Sequence, residues 1–213
     1  MSENKQTSII CDEDLTWEQK RQLNDRWVVL CIGGASGTGK SKLAYQLSNY
    51  YSVPVIEVDD LCQGIKAMTT YESHPVLHYW ESGINWMDVG VEGNVQWLKE
   101  MGQVLIPALK GFIDNHLESG VRVILEGDFI HPRLLSGYDA NLVKGLFVHE
   151  MNHQQVVTNY LRREGGSPQD YRASISVAHS LWLGTECQMG DIPFMPARPW
   201  DTVLDRTLAS LGE

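Results

Sequence analysis

The chain has 213 residues, 43% of them hydrophobic, and a formal net charge of −10. That length and apolar share suit one folded domain with a sizeable core, and no apolar run is long enough to suggest a membrane span. The acidic balance argues against a nucleic-acid backbone as main partner, which needs clustered Lys and Arg, but leaves room for a local basic pocket that takes a small anion.

The opening "MSENKQTSII" has no basic stretch before an apolar one, so no secretory signal is expected. Cys11, Cys31, Cys62 and Cys187 are far apart and make no C-x-x-C pair. Reduced thiols in a cytoplasmic protein are expected, rather than a zinc or redox motif.

Residues 14–26, "DLTWEQKRQLNDR", read as a short polar helix with Thr16 as its N-cap. "WVVLCIG", a brief apolar run closing on glycines, predicts a buried parallel strand. Lys40 to Tyr50 predicts a helix, with Leu43 and Leu47 four apart. "VPVIEVDD" reads as a second strand that ends in acids. Residues 61–93 are rich in Tyr, Trp and His, with a helical piece around Pro75 to Trp80 at most; Tyr71, Tyr79, Trp80 and Trp86 suggest a substrate-covering insert.

Asn94 to Glu118 carries a helical stripe of Val95, Leu98, Met101, Leu105, Leu109, Phe112 and Ile113, which Pro107 should kink or divide. "GVRVILEG" and "LVKGLFVH" predict a third and a fourth strand. "NHQQVVTNYLRREGG" predicts a helix stopped by Gly165 and Gly166, and "SPQDYRASISVAHSLWLGTEC" another with Pro168 near its start. "DIPFMP" holds a short fifth strand, and "RPWDTVLDRTLASL" reads as a closing helix with Pro199 in its first turn. Strands alternating with helices imply an α/β fold: one domain over 1–213, a parallel sheet with right-handed crossovers, an insert at 61–93 and a lid region at 160–185. Ligands then sit beyond the carboxyl ends of the strands.

Gly34, Ala35, Ser36, Gly37, Thr38, Gly39, Lys40 and Ser41 fit the phosphate-loop pattern G-x-x-x-x-G-K-S, placed after a strand and opening a helix. Glycines let backbone N–H groups approach phosphate oxygens, and the helix N-terminus adds positive potential. Lys40 can reach the β- and γ-phosphates, and the Ser41 hydroxyl can bind Mg²⁺.

Asp59 and Asp60, after the second strand, would face that loop. Either could take the proton of an attacking hydroxyl or, as Asp59 in particular, hold Mg²⁺ through water. Glu126 ends the apolar run "VRVIL", where a carboxylate sits beside a metal–triphosphate; Asp128 is a second candidate. Arg162 and Arg163, before a glycine pair, could neutralise a transferring phosphoryl group, and Arg172 could join them. His74 and His78 would face one metal on a helix, but packing or pocket roles fit them better. Lys66, Arg133 and His131 are further groups that could meet a polar or anionic acceptor.

"GGASGTGKS", "VIEVDD", "VILEGD" and "YLRREG", in that order, resemble the P-loop small-molecule kinases of the nucleotide-kinase type, such as the uridine kinase, gluconate kinase, chloramphenicol phosphotransferase and 2-phosphoglycerate kinase families. The resemblance implies a three-layer P-loop fold with a five-stranded sheet in the order 2-3-1-4-5, ATP and Mg²⁺ on Gly34 to Ser41, and Asp59 or Asp60 as base. It also implies Glu126 as the metal-side acid, Arg162 and Arg163 as lid arginines, and Arg198 and Pro199 of "ARPW" as adenine contacts. The chain departs from the family in lacking a "DRY" or "DRH" signature, and no N-K-x-D guanine motif is present, which disfavours a GTPase. The expected function is ATP-dependent transfer of the γ-phosphoryl group to a hydroxyl of a small metabolite, such as a sugar, phosphoglycerate or nucleoside. The alternative is an ATP-hydrolysing regulatory switch with no small-molecule acceptor.

Overall fold

The computed structural model describes residues 27–212. The helix expected over 14–26 lies outside them. In chain order the elements are β1 (Val29–Gly33), α1 (Lys40–Tyr51), β2 (Val55–Glu57), α2 (Val58–Ala67), a 3-10 turn (Tyr79–Ser82), α3 (Gly90–Ser119), β3 (Val123–Gly127), a second 3-10 turn (Pro132–Leu135), β4 (Val143–His149), α4 (His153–Glu164), α5 (Asp170–Met189), β5 (Phe194–Pro196) and α6 (Val203–Ser210).

The five strands form one sheet in the order β2-β3-β1-β4-β5, every neighbour parallel. This is the order the resemblance implied. Side chains of β1 alternate between two cores, as the period of a strand requires. Val29 and Cys31 pack with Met101, Leu105, Leu109 and Ile113 of α3 and Leu183 of α5. Leu30 and Ile32 pack with Leu43 and Leu47 of α1 and Val203 of α6. Both faces of the sheet are thereby covered, which is why its strands read as continuous apolar runs. A third cluster, Val156, Val157, Tyr160 and Ala173, joins α4 to α5. No helix among the described residues is long and apolar enough to cross a membrane.

Three expected boundaries move. The second strand stops at Glu57, and Asp59 and Asp60 lie in the first turn of α2, where carboxylates complement the exposed N–H groups of a helix start. Pro107 does not divide α3, which runs unbroken for 30 residues. The proline and the residue whose carbonyl it frees, Gln103, are both exposed, so water can take that bond while the buried stripe holds the helix axis. The last helix starts at Val203, leaving Arg198 and Pro199 in the loop before it. The segment between α2 and α3 holds turns and one 3-10 turn instead of a helix at Pro75 to Trp80, so His74 and His78 do not form a helical pair. His78 bonds Glu81 and Thr69, while His74 bonds Ser73.

Candidate active site

The register aligns the carboxyl ends of the three central strands: Gly33 of β1 lies beside Gly127 of β3 and Phe147 of β4. The chain leaving β1 forms the loop Gly34–Gly39, and the chain leaving β3 begins with Asp128, both at that edge. Gly34, Gly37 and Gly39 have φ of 147°, 75° and 92°, backbone that side chains disfavour. Space imposes the same choice. A Cβ on Gly34 would strike the Val148 carbonyl and one on Gly39 would strike the Trp200 ring. Thr38 fastens the loop by donating to the Ala35 carbonyl at 2.9 Å.

Helix α1 then begins at Lys40 with no side-chain cap and no acid in its first turn. Its first N–H groups are thus left for another acceptor, and an anion is what such a terminus favours.

Beneath the loop, Lys40 is buried, with 7% of its surface exposed. Its ammonium pairs with Asp128 and lies 3.6 Å from Glu126 Oε1. Burial pulls the Lys40 pKa down, but the charges of Asp128, Glu126 and Asp59 outweigh it and raise the pKa above the ordinary lysine value. The carboxylates respond in the opposite sense. Burial and the Asp128 charge raise the Glu126 pKa, against Lys40 and a hydrogen bond from Ser41. Burial and Asp128 also raise that of Asp59, with Lys40 opposing.

Ser41 bonds Glu126, and Glu126 and Asp59 both act on Lys40, so the site offers hard oxygen donors of the kind that suit Mg²⁺ shared with phosphate and water. No group of three or more His, Cys, Asp or Glu that could hold a metal unaided occurs among the described residues.

Of the expected residues, Gly34 to Ser41, Asp59 and Glu126 converge here. The Asp60 charge acts on Asp59. Arg162 and Arg163 end α4 on the exposed side, and Arg163 pairs with Glu164 at 2.5 Å. Arg172, at the start of α5, instead lines a cavity of about 190 Å³ beside Ser36, together with Asp128, Phe129, Trp97 and His179. Arg198 reaches Glu150 at 3.2 Å and Asn159 at 3.4 Å, and Asn159 donates to the Gly37 carbonyl at 2.8 Å. The "ARPW" loop therefore braces the phosphate loop from behind, with Trp200 over Gly39 and Lys42 over Trp200 at 4.6 Å. The Pro199 carbonyl accepts from Arg206 at 3.1 Å. Sequence reasoning missed His179 and Asn159. The available signal for His179 was its spacing from Arg172 and Ser176, one helix face over two turns.

No protein-family model matches the chain. It is 29% identical over 136 residues to the 2-phosphoglycerate kinase of Methanocaldococcus jannaschii, a match covering 62% of this chain and 43% of that protein. The 2-phosphoglycerate kinase of Methanopyrus kandleri is 26% identical over 124 residues, covering 56% and 37%. The chain spans less than half the length of these curated relatives. Among solved structures, TT1252 from Thermus thermophilus is similar in fold, with a TM-score of 0.51 at 16% identity over 87% of this chain and 96% of that one. Loop, strand order and fold likeness together give this chain an α/β fold with a five-stranded parallel sheet in the order 2-3-1-4-5 and a phosphate-loop sequence at its carboxyl edge.

Proposed function

We propose that the chain is an ATP-dependent phosphotransferase that moves the γ-phosphoryl group to a hydroxyl of a small metabolite. The observation that carries this reading is the uncapped start of α1 above a buried Lys40 held among three carboxylates. The backbone N–H groups of Gly34 to Ser41 bind the phosphates, and Lys40 turns from Asp128 to neutralise the transferring group. Ser41 and Glu126 would hold Mg²⁺, which when bound screens the triphosphate charge.

Asp59 is the base. Its charge is among those that act on Lys40, and Asp128 of the same cluster acts on it in turn. The acceptor O–P bond forms as the bond from the γ-phosphorus to the β,γ-bridging oxygen breaks. ADP leaves with the electron pair, and the hydroxyl proton passes to Asp59. Arg172, nearer the loop than Arg162 and Arg163, supplies cationic charge over the cleft, and the latter two approach only if α4 and α5 close as a lid. Relatives named 2-phosphoglycerate kinase support a compact anionic acceptor of the phosphoglycerate kind. The cavity beside Ser36 favours transfer over a switch, since a switch needs no acceptor space.

The test is ADP release with ATP and Mg²⁺ against sugars, polyols, hydroxy acids, phosphoglycerates and nucleosides. Acceptor-stimulated turnover that Lys40→Ala abolishes is the expected result. Tight ATP binding with no acceptor-stimulated turnover in the whole panel overturns the reading in favour of the switch.

A further inference from the structure

One face of α5 presents Arg172, Ser176 and His179 on successive turns, and all three line the cavity beside Ser36. Their hydrogen-bonding states differ. Ser176 is committed, sharing a hydrogen bond with the Tyr160 hydroxyl at 2.6 Å and donating to the Arg172 carbonyl at 3.2 Å. Arg172 uses only Nη1, toward Glu164 and Gln169, and its ring-facing plane lies 4.2 Å from the Tyr160 centroid. Its Nη2 and Nε make no hydrogen bond among the described residues. His179 is 1% exposed, and its Nδ1 has no hydrogen-bond partner among the described residues.

A buried imidazole nitrogen without a partner is unfavourable unless a ligand supplies one. The ring is also fixed in place. It stacks on Trp182 at 5.6 Å with an interplanar angle of 8°, and Trp182 is held edge-on by His131 at 5.2 Å. Burial pushes the His179 pKa down to about 4, so the ring is uncharged near neutrality and offers one donor and one acceptor. A hydroxyl group, which also donates and accepts, is its natural complement.

The cavity of about 190 Å³ corresponds to roughly six water volumes. It suits a short-chain hydroxy acid and is small for a nucleoside.

We propose that this cavity is the acceptor subsite and that His179 is its specificity-determining residue, hydrogen-bonding a hydroxyl of a compact hydroxy acid whose carboxylate meets the free edge of Arg172. This rests on the phosphotransfer reading above. Trp97 and Phe129 form the apolar wall against the carbon chain. The polar wall is α5, and Asp128 links the cavity to Lys40.

The test uses the full chain with ATP, Mg²⁺ and glycerate, gluconate, glycerol or uridine as acceptor. His179→Phe keeps an aromatic ring to stack on Trp182, at slightly larger volume, but removes both nitrogens. It should raise the acceptor KM about tenfold, the loss of one hydrogen bond, with the KM for ATP unchanged. His179→Gln, which keeps a donor and an acceptor, should recover part of that loss. In the wild-type protein, glycerate should shift the His179 ring-nitrogen NMR signals, identified by their absence in His179→Gln, and this readout decides the matter if His179→Phe does not fold. Acceptor-dependent turnover with an unchanged KM in His179→Phe, or uridine used better than glycerate, overturns the subsite while leaving the phosphotransfer reading standing. No acceptor-dependent turnover in the wild-type protein with these four acceptors or with any member of the wider panel above overturns that reading and this inference together.

Discussion

Lys40 keeps its charge in a nearly closed site because Asp128, Glu126 and Asp59 surround it. Removing the ammonium leaves those carboxylates facing one another, so Lys40→Met should weaken ATP binding and also make the site hold protons more tightly. Asp59 and Asp60 are adjacent in sequence but not equivalent in space. Asp59→Asn should lower kcat by about 10²–10⁴ with ATP affinity retained, the range for losing a general base, whereas Asp60→Asn should leave kcat near wild type. Steady-state kinetics with paired ATP-binding measurements separate the two, and equal losses would sink the assignment.

His179 gives a pH signature of its own. An unfolded imidazole binds a proton near pH 6.5, while the folded ring resists down to about 4. Stability from this group is therefore full above the unfolded value and is lost as pH falls between the two, a change on the order of 3 kcal/mol. Lys40, Lys99 and His131 hold the pKa down further, and Asp128 opposes them. Urea midpoints measured from pH 7 to pH 4 should fall more steeply for the wild-type protein than for His179→Phe.

At the scale of elements, the phosphate loop is shaped as much by its neighbours as by its own glycines. Gly39 has φ 92° and a Cβ there would meet the Trp200 ring. Gly39→Ala should cost about 1–3 kcal/mol of stability and abolish ATP binding, read by calorimetry. If that variant binds ATP normally, the Trp200 brace is not what holds the loop. Helix α3 makes the opposite case. Pro107 lies on its exposed side, where it removes a backbone bond that packing does not need. Pro107→Ala should stabilise the protein by about 2 kcal/mol, the helix-propensity gain less the entropy returned to the unfolded chain. Helices α4 and α5 are joined by their own small cluster and by Glu164, whose pKa Gln169, Arg163 and Arg172 hold down to about 2.

Across the whole molecule, the two cores and the aligned strand ends make the nucleotide site part of the fold's rigid centre. ATP with Mg²⁺ at about 100 times Kd should therefore stabilise the folded state by about 2.7 kcal/mol, roughly a 5–10 °C rise in Tm for a chain of this size. Lys40→Ala should remove most of that shift, and a full shift in the variant would place the nucleotide elsewhere.

Sequence alone determined the parts of this protein whose requirements are local. A phosphate loop must follow a strand and open a helix, so Gly34 to Ser41 were legible as a string, and apolar runs broken by glycines marked a doubly covered parallel sheet. The strand order followed from resemblance, and Glu126 followed from its place at the end of an apolar run. Tertiary structure decided what depends on direction and distance. It put Asp59 and Asp60 in the first turn of a helix instead of at a strand end, with the Asp59 charge among those that act on Lys40. It kept α3 whole across Pro107, because exposure and packing together outweigh one missing hydrogen bond. It brought His179 and Arg172 to one cavity with Ser36 although they are at least 136 positions apart in sequence, since chain separation carries no information about which helix face a crossover lays over the strand ends.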